Sequence, residues 1–392
     1  MRVDDLLVEV RDSTQNRVGA ITPDFLPGFT SVLRLNQLST WSVSLPYGHP
    51  LSATLSTPGS GIIVSLNGDP ILSGDMTWFQ QIRSRDVPDG MIQFTGLDDS
   101  LLLRDRLAYP TPSTSDVTLQ TSAYDTRTGL AEAVMKDFVN ANMGASAPTE
   151  RKTPWFLVAD NYNRGASVTA SARFDNLYEL LQSLANASTL AGQPLGFDVI
   201  QNGNNLVFDV FAPTDRTKTI RLDIENNQLT ETIYSVGQPK LTRAIVGGQG
   251  DLAARTFIER SSTTSLAAET AWGRRIEQFI DGRSSNDIAA LATDGDDHLA
   301  TDGTAQITAS VKPTDDSTMR FGKDWFLGDL VSIVVNDFEL AAVVSEMGIS
   351  VQADGVYLQA TVGEQKVMTF ERQILERQSA LLTRMNNLER YK

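Results

Sequence analysis

Two histidines, His49 and His298, and no cysteine are all that this 392-residue chain offers to the commonest catalytic and metal-binding chemistries. The lack of thiols removes disulfide scaffolds, thiol nucleophiles and thiolate metal sites together. A serine triad or an ordinary zinc site would have to recruit one of the two imidazoles. His49 stands in a turn, Tyr47-Gly48-His49-Pro50, and the sequence has no Gly-x-Ser-x-Gly elbow to partner it. Asp294-Gly295-Asp296-Asp297-His298 has the look of a calcium loop. Such a loop needs Gly at position 6 and Glu at position 12, and counting from Asp294 these positions hold Leu299 and Ala305. The segment therefore reads as the acidic face of a helix. Gly247-Gly248-Gln249-Gly250 follows a strand, as phosphate loops do, but lacks the Lys-Ser/Thr pair and runs into an extended Arg255-Thr256-Phe257-Ile258. These glycines read as a tight passage between domains. The paired carboxylates Asp98-Asp99 and Asp315-Asp316 are of the type glycosidases use, yet they sit in turns, where Asp is common. No catalytic, cofactor-binding or metal-ligating residue is assigned, no cofactor is expected, and the chain is expected not to be an enzyme.

The strongest pattern is architectural. Residues 59–96 and 328–363 read as two copies of one β unit at a constant offset of 269 positions. Gly59 faces Gly328 and Asn67 faces Asn336, while Ile62, Val64, Leu66 and Ile71 face Val331, Ile333, Val335 and Leu340 with no gap. Each copy is a strand of period-two apolar residues, an Asn-led turn and a returning strand; an Asp-Gly turn (Asp89-Gly90, Asp354-Gly355) and another strand follow. The two units are expected to be related β-domains.

Around them the chain divides by pattern. Alternation in Leu6, Val8, Val10 and in Trp41, Val43, Leu45 makes residues 1–110 β-rich, with Pro110-Thr111-Pro112 as a boundary. Residues 111–217 are expected to form an α+β insertion. Its helices are read at 129–140 (Leu130, Val134, Phe138) and 174–185 (Leu177, Leu180, Leu181, Leu184, capped by Asp175), ahead of a hairpin over 196–211. Residues 218–250 close the first β-domain. Residues 251–284 and 303–366 are assigned to the second, with long polar strands through Trp272, and a helix at 285–302. The last stretch, 367–392, lacks Gly and Pro and reads as a helix. Ile374, Leu381 and Leu388 recur every seven residues, with Gln378 and Met385 at alternate seam positions. That spacing fits a short coiled coil or partner helix; Phe370, Leu375 and Leu382 widen the stripe and fit equally a helix packed on its own domain. The tryptophans Trp78, Trp155 and Trp325 lie beside apolar residues and are expected in the core.

At 41% apolar residues the chain can bury sizeable cores, and its length calls for two to four domains. No apolar run approaches the ~20 residues of a membrane span. The start, Met1-Arg2-Val3-Asp4-Asp5, places an acidic pair where a cleaved leader would be basic. A formal net charge of −15 opposes nucleic-acid binding and fits a surface that DNA slides past.

The order of β-domain, helical insertion, closing strands and second β-domain resembles the tail hub or minor tail (tail-tip) proteins of siphoviruses, which are similar to the central baseplate hub of contractile-tailed phages. The stretches that carry the resemblance include Gly96-Leu97-Asp98-Asp99-Ser100, Leu180-Leu181-Gln182-Ser183-Leu184-Ala185, Phe208-Asp209-Val210-Phe211-Ala212-Pro213, Val246-Gly247-Gly248-Gln249-Gly250 and Trp272-Gly273-Arg274-Arg275-Ile276-Glu277. The resemblance implies a mainly β fold with two β-barrel-like tube-docking domains, an α/β insertion domain and a C-terminal helix. It implies a virion protein made in the host cytoplasm and placed at the distal end of the tail. There a homotrimer of pseudo-sixfold shape would dock under the hexameric tail tube or distal tail protein. It would hold tip, plug or fibre proteins below, with a tape measure protein as a further neighbour, and would let DNA pass during ejection without specific binding. Three chains at −15 each carry −45 formal charges, expected to form acidic walls. Alternatives are a receptor- or glycan-binding tail protein with aromatic platforms, or a tail-associated cell-wall hydrolase.

Overall fold

The computed structural model describes residues 5–83, 89–250, 254–283, 287–314, 318–335 and 338–363. Strict alternation sets the first strands. In β4 (Thr40–Pro46) Trp41, Val43 and Leu45 are buried while Thr40, Ser42 and Ser44 are half-exposed, the period-two signature of a sheet with one face on a core. Before it come β1 (Leu6–Arg11), β2 (Arg17–Ala20) and β3 (Thr30–Arg34). After it, α1 (Pro50–Leu55) leads to β5 (Gly61–Leu66), β6 (Asp69–Ile82) and β7 (Met91–Leu97), then α2 (Leu101–Arg104).

The insertion runs through β8 (Leu107–Ala108), β9 (Asp125–Leu130), α3 (Ala131–Asn142), β10 (Phe156–Val158), β11 (Ser167–Ala172), β12 (Asp175–Asn176), α4 (Leu177–Leu190), β13 (Gly196–Asn202) and β14 (Asn205–Phe211). The apolar faces of both helices meet the β13–β14 hairpin in one core that includes Val134, Phe138, Leu181, Leu184, Phe197 and Phe208. Asn176, not Asp175, caps α4: its Oδ1 accepts the Tyr178 and Glu179 N–H groups.

The chain then forms β15 (Arg221–Leu222), β16 (Leu229–Gly237), β17 (Arg243–Gly247), β18 (Phe257–Arg260), α5 (Thr263–Trp272), β19 (Glu277–Asp281), α6 (Ile288–Asp302), β20 (Gln306–Pro313), β21 (Leu330–Val335), β22 (Phe338–Gln352) and β23 (Gly355–Gly363). Two compact units result. The described residues up to Thr232 join Ser310–Val362, and Ile233–Ala309 forms the other. In the second unit β17 pairs antiparallel with β18 and parallel with β19, and Val246, Ile280, Leu291 and Leu299 form its core. Residues 254–283 thus belong with 233–250 rather than with the described residues of 310–362. Gly247 and Gly248 lie wholly inside this unit, so they do not mark a passage between domains. Trp272 is helical, not extended. The Ser262 side chain and Ser265 form a reciprocal capping box, and Gly273 in the left-handed region (φ 65°) ends the helix.

The first unit's strands do not close into barrels. With β16 and β20, whose residues fall partly in each unit, they join one thirteen-stranded sheet with the order β16-β20-β23-β22-β3-β4-β7-β6-β5-β1-β2, β21 pairing β22 and β15. No closed barrel is found among the described strands: β6 and β22 each pair with one neighbour along their first half and with another along their second. The C-terminal segment with Ile374, Gln378, Leu381, Met385 and Leu388, together with Asn336 and Asp315-Asp316, lies outside the described residues.

Candidate functional site: an open eight-stranded wall

Several of the sequence-matched residues of the two β units share a conformation or burial. Gly59 (φ 81°) and Gly328 (φ 91°) both adopt the left-handed region just before their strands. Ile62 and Val64 are fully buried in β5, as are Val331 and Ile333 in β21. Asn67 (φ 55°) and Gly68 (φ 96°) make the two-residue turn between β5 and β6, and in the second unit Val335 pairs with Phe338. In each unit the first half of the long strand pairs backward, β6 with β5 and β22 with β21; the second half pairs forward, with β7 and β23. The gapless alignment fails at one position. Val64 pairs with Leu72 while Ile333 pairs with Leu340, and a bulge takes up Ile71. Pro70, which has no N–H for the ladder, sits beside it.

Beyond that bulge the offset becomes 268, and a second bulge falls at Thr77 in β6 and at Ser345 in β22. The bulged hydroxyls do the same thing. Thr77 Oγ1 donates to the Thr95 carbonyl at 3.3 Å, and Ser345 Oγ donates to the Thr361 carbonyl at 3.2 Å. Two residues before each of those threonines stands a glutamine, Gln93 and Gln359. Neither bulge was visible in the sequence, because a single extra residue leaves no period to read.

The order of strands repeats as well. β3-β4-β7-β6 is one run of four, and β16-β20-β23-β22 is another in the same chain sequence. They are joined edge to edge where β22 pairs antiparallel with β3, Glu346 through Ser350 against Arg34 through Thr30. The Arg34 guanidinium bonds the Glu346 carboxylate at 3.0 Å across this seam. At the far end, Trp78 to Ile82 of β6 have no strand on their outer side among the described residues, although the equivalent stretch of β22 has β3 there. Trp78 (51% exposed) and Ile82 (42%) lie along this open edge. Core placement was expected for Trp78, and for Trp155, which is 43% exposed with φ 55°. Of the three tryptophans expected in the core, Trp325 alone is buried, its Nε1 donating to the Met319 carbonyl at 3.0 Å.

The eight strands have one apolar and one polar face. Leu33, Trp41, Val43, Phe94, Met347 and Ile349 turn into the core. On the other side register builds rows across the sheet: Trp78, Thr95, Ser42, Thr30, Ser350 and Tyr357 in one, and Leu97, Thr40, Val32, Gly348 and Gln359 in another. This polar face is hollowed, with about 650 Å³ of space over Thr30, Val32, Gly348, Ser350 and Tyr357.

Buried charge locks the wall to the insertion. Arg11, fully buried at the end of β1, donates to both Asp99 oxygens (2.5 and 2.8 Å), to Asp75 (2.7 Å) and to Gln201 Oε1 on β13 (3.0 Å). Burial alone would lower the Arg11 pKa; the two carboxylates outweigh it and raise it. Burial pushes the Asp75 carboxyl up against Arg11's pull. Neighbouring Asp98 is pushed up to about 6 by burial, despite accepting the Ser39 N–H at 2.5 Å. Asp198, facing the same junction, is pushed up to about 7 by burial and then by Asp209 and Asp98. Asp98-Asp99, read as plain turn residues, are thus structural anchors. In the insertion, Glu132 is fully buried and accepts from Lys136, Arg164 and the Tyr162 N–H. Burial would raise its pKa, but these donors hold it at about 2.

The other chemistry-bearing residues stay apart. His49 caps α1, Nδ1 accepting from the Leu51 N–H at 3.2 Å. His298 lies on α6, half-exposed, 4.0 Å from Asp294 one turn away. Among the described residues no group of three or more His, Asp or Glu is placed to hold a metal ion, and no helix is long and apolar enough to cross a membrane.

A family model described as Siphovirus ReqiPepy6 Gp37-like protein matches residues 7–364. No curated protein matches in sequence. Solved structures similar to this chain include the 43 kDa tail protein of prophage MuSo2 from Shewanella oneidensis, at 12% identity and a TM-score of 0.56, covering 91% of this chain and 97% of that one. A tail protein from Neisseria meningitidis MC58 gives 12% and 0.54, covering 92% and 97%. Prophage tail protein gp18 from Listeria monocytogenes EGD-e gives 12% and 0.52, covering 94% and 97%. At such identities the likeness is one of fold.

Proposed function

Because this chain belongs to the Siphovirus ReqiPepy6 Gp37-like protein family, we propose that it is a structural tail protein whose copies close into a ring, a trimeric hub that continues the tail tube and anchors the tip or fibre proteins. One observation carries the reading. Within the chain, the last strand of one four-stranded run (β22) pairs with the first strand of the other (β3). Repeating that step between chains pairs the open edge of β6 with β16 of the next copy. A long open edge bearing Trp78 and Ile82 is an invitation to strand addition, and a head-to-tail contact of this kind generates a ring when the rotation closes.

Geometry favours three copies. With strands ~4.8 Å apart and tilted ~40°, a ring of about 24 strands is roughly 45–50 Å across at the backbone. Two copies would give roughly 30 Å, which inward side chains narrow below what a DNA duplex needs. Three copies present six similar four-stranded runs, which suits docking to a sixfold tube, and we infer that the two runs arose by duplication. The matched glycines, bulges and bulge hydrogen bonds support that descent.

Mass measurement of the purified protein under non-denaturing conditions tests the reading. Particles of three chains are expected, and Trp78→Asp with Ile82→Asp, both exposed, should release folded monomers. A wild-type protein that stays monomeric at tens of micromolar with purified tail-tube protein present refutes it.

A further inference from the structure

We propose that the hollowed polar face of the eight-stranded sheet is an uncharged sliding surface for double-stranded DNA, so that the acidity of the chain lies elsewhere. This rests on the ring reading, in which the face away from the apolar core lines the bore. The outward positions of β3, β4, β7, β22 and β23 carry hydroxyls and amides, among them Thr30, Ser42, Ser44, Gln93, Thr95 and Gln359. The charged side chains described on this face are Arg34 and Glu346, paired at 3.0 Å, and Lys312, whose ammonium bonds the Glu231 carboxylate of the neighbouring strand. None of them is an unpaired carboxylate, in a chain whose formal net charge is −15. Acidic walls, anticipated from composition, are therefore not what this face presents.

The chemistry suits passage better than either sign of charge would. Each phosphate neutralised by a fixed cation adds roughly 0.9 to the salt slope of binding, so a basic bore would grip the duplex. An acidic one would oppose entry of a polyanion and burden assembly with like charges brought together around the axis. Hydroxyl and amide groups keep a hydrated wall whose contacts with phosphate exchange with water at little net cost. Where a charge is needed at the seam, Arg34 and Glu346 cancel each other.

The test adds charge to the face. Thr30→Lys with Gln359→Lys places six cations per trimer on it, at two exposed positions; Val117→Lys, 60% exposed on the insertion, is the control. Trimer mass is measured first, then binding of a linear 40-base-pair duplex and of a closed circular DNA between 50 and 200 mM salt, conditions at which phosphate contacts are separable to about one per slope unit. The expected result is that wild type and Val117→Lys ignore both DNAs. The double variant binds the linear duplex, which can thread the ring, and not the circle. Its affinity falls roughly forty- to five-hundredfold across that range, as about three to five phosphate contacts require. Trimers of the double variant that ignore linear DNA, or that bind circle and duplex alike, overturn the inference and leave the ring standing. Wild-type trimers that themselves bind the duplex with a steep salt slope also overturn it. Monomers throughout refute the ring and the inference with it.

Discussion

Replacing Arg11 with Met removes the charge on which the wall and insertion converge. The guanidinium is fully buried and bonds Asp99 twice, Asp75 once and Gln201 once. Met keeps most of the volume, so the loss is chiefly electrostatic: Asp99, 2% exposed, loses the guanidinium and is left with the Ser73 hydroxyl as one remaining donor. Breaking a buried pair from one side costs about 3–5 kcal/mol. Asp99→Asn alone should cost a similar amount, since it orphans part of the guanidinium. The double substitution removes both charges, and the two losses should fall short of adding by about 2–3 kcal/mol. Urea unfolding followed by tryptophan fluorescence reads this out, because Trp41 is buried in the same sheet. Single-variant losses below about 1 kcal/mol, or losses that simply add, would refute the assignment of Arg11 as the anchor.

Further expectations concern the same wall. Gly96→Val should destabilise by more than ordinary overpacking, about 3 kcal/mol or above, since a Cβ there would sit 2.3 Å from the Trp41 ring and 2.2 Å from the Asp75 carbonyl; thermal melts of the soluble fraction measure it. Asp98 titrates with a folded pKa of about 6 against 3.8 when free. The folded state therefore binds more protons between those values, and its stability falls as pH rises from about 4 to 6. Asp98→Asn should flatten that slope; an unchanged pH profile would show that Asp98 is not its source. Glu132 behaves oppositely, held at about 2 against 4.5, so the stability it contributes is complete above pH 5 and lost as pH falls toward 2. Glu132→Gln should cost stability at pH 7 and little at pH 2.5, as denaturant midpoints at the two pH values would report.

Local structure was legible where one period dominated. Ile62, Val64 and Leu66 announced a strand, Leu177, Leu181 and Leu184 a helix, and Asn67-Gly68 a hairpin turn. It was not legible where small residues carry no moment. α5 is Thr-, Ser- and Ala-rich, so only its end signals, Ser262 with Ser265 and Gly273, distinguish it from a polar strand. The repeat was readable as alternating apolar positions around two matched glycines, but the bulges at Ile71, Thr77 and Ser345 were not, because they break register without changing residue type. The wall itself depends on partners far apart in sequence, Arg34 with Glu346 and Arg11 with Asp99. Nothing local to those residues names its partner. Trp78 misled for a related reason: apolar neighbours signal a core only when another strand covers them, and here the edge is open.

The absence of cysteine from the native sequence makes the closing contact directly measurable. Single cysteines placed at Trp78, Gln80 or Ile82 of β6 are combined with single cysteines at Thr230, Glu231 or Thr232 of β16 and oxidised in the native state. At least one combination should convert the chain into a covalent product of three subunits on a denaturing gel, with cross-links lost when the protein is unfolded before oxidation. If every combination leaves single chains while cysteines elsewhere on the surface behave alike, β6 does not meet β16 of a neighbouring copy, and the sheet does not close the ring.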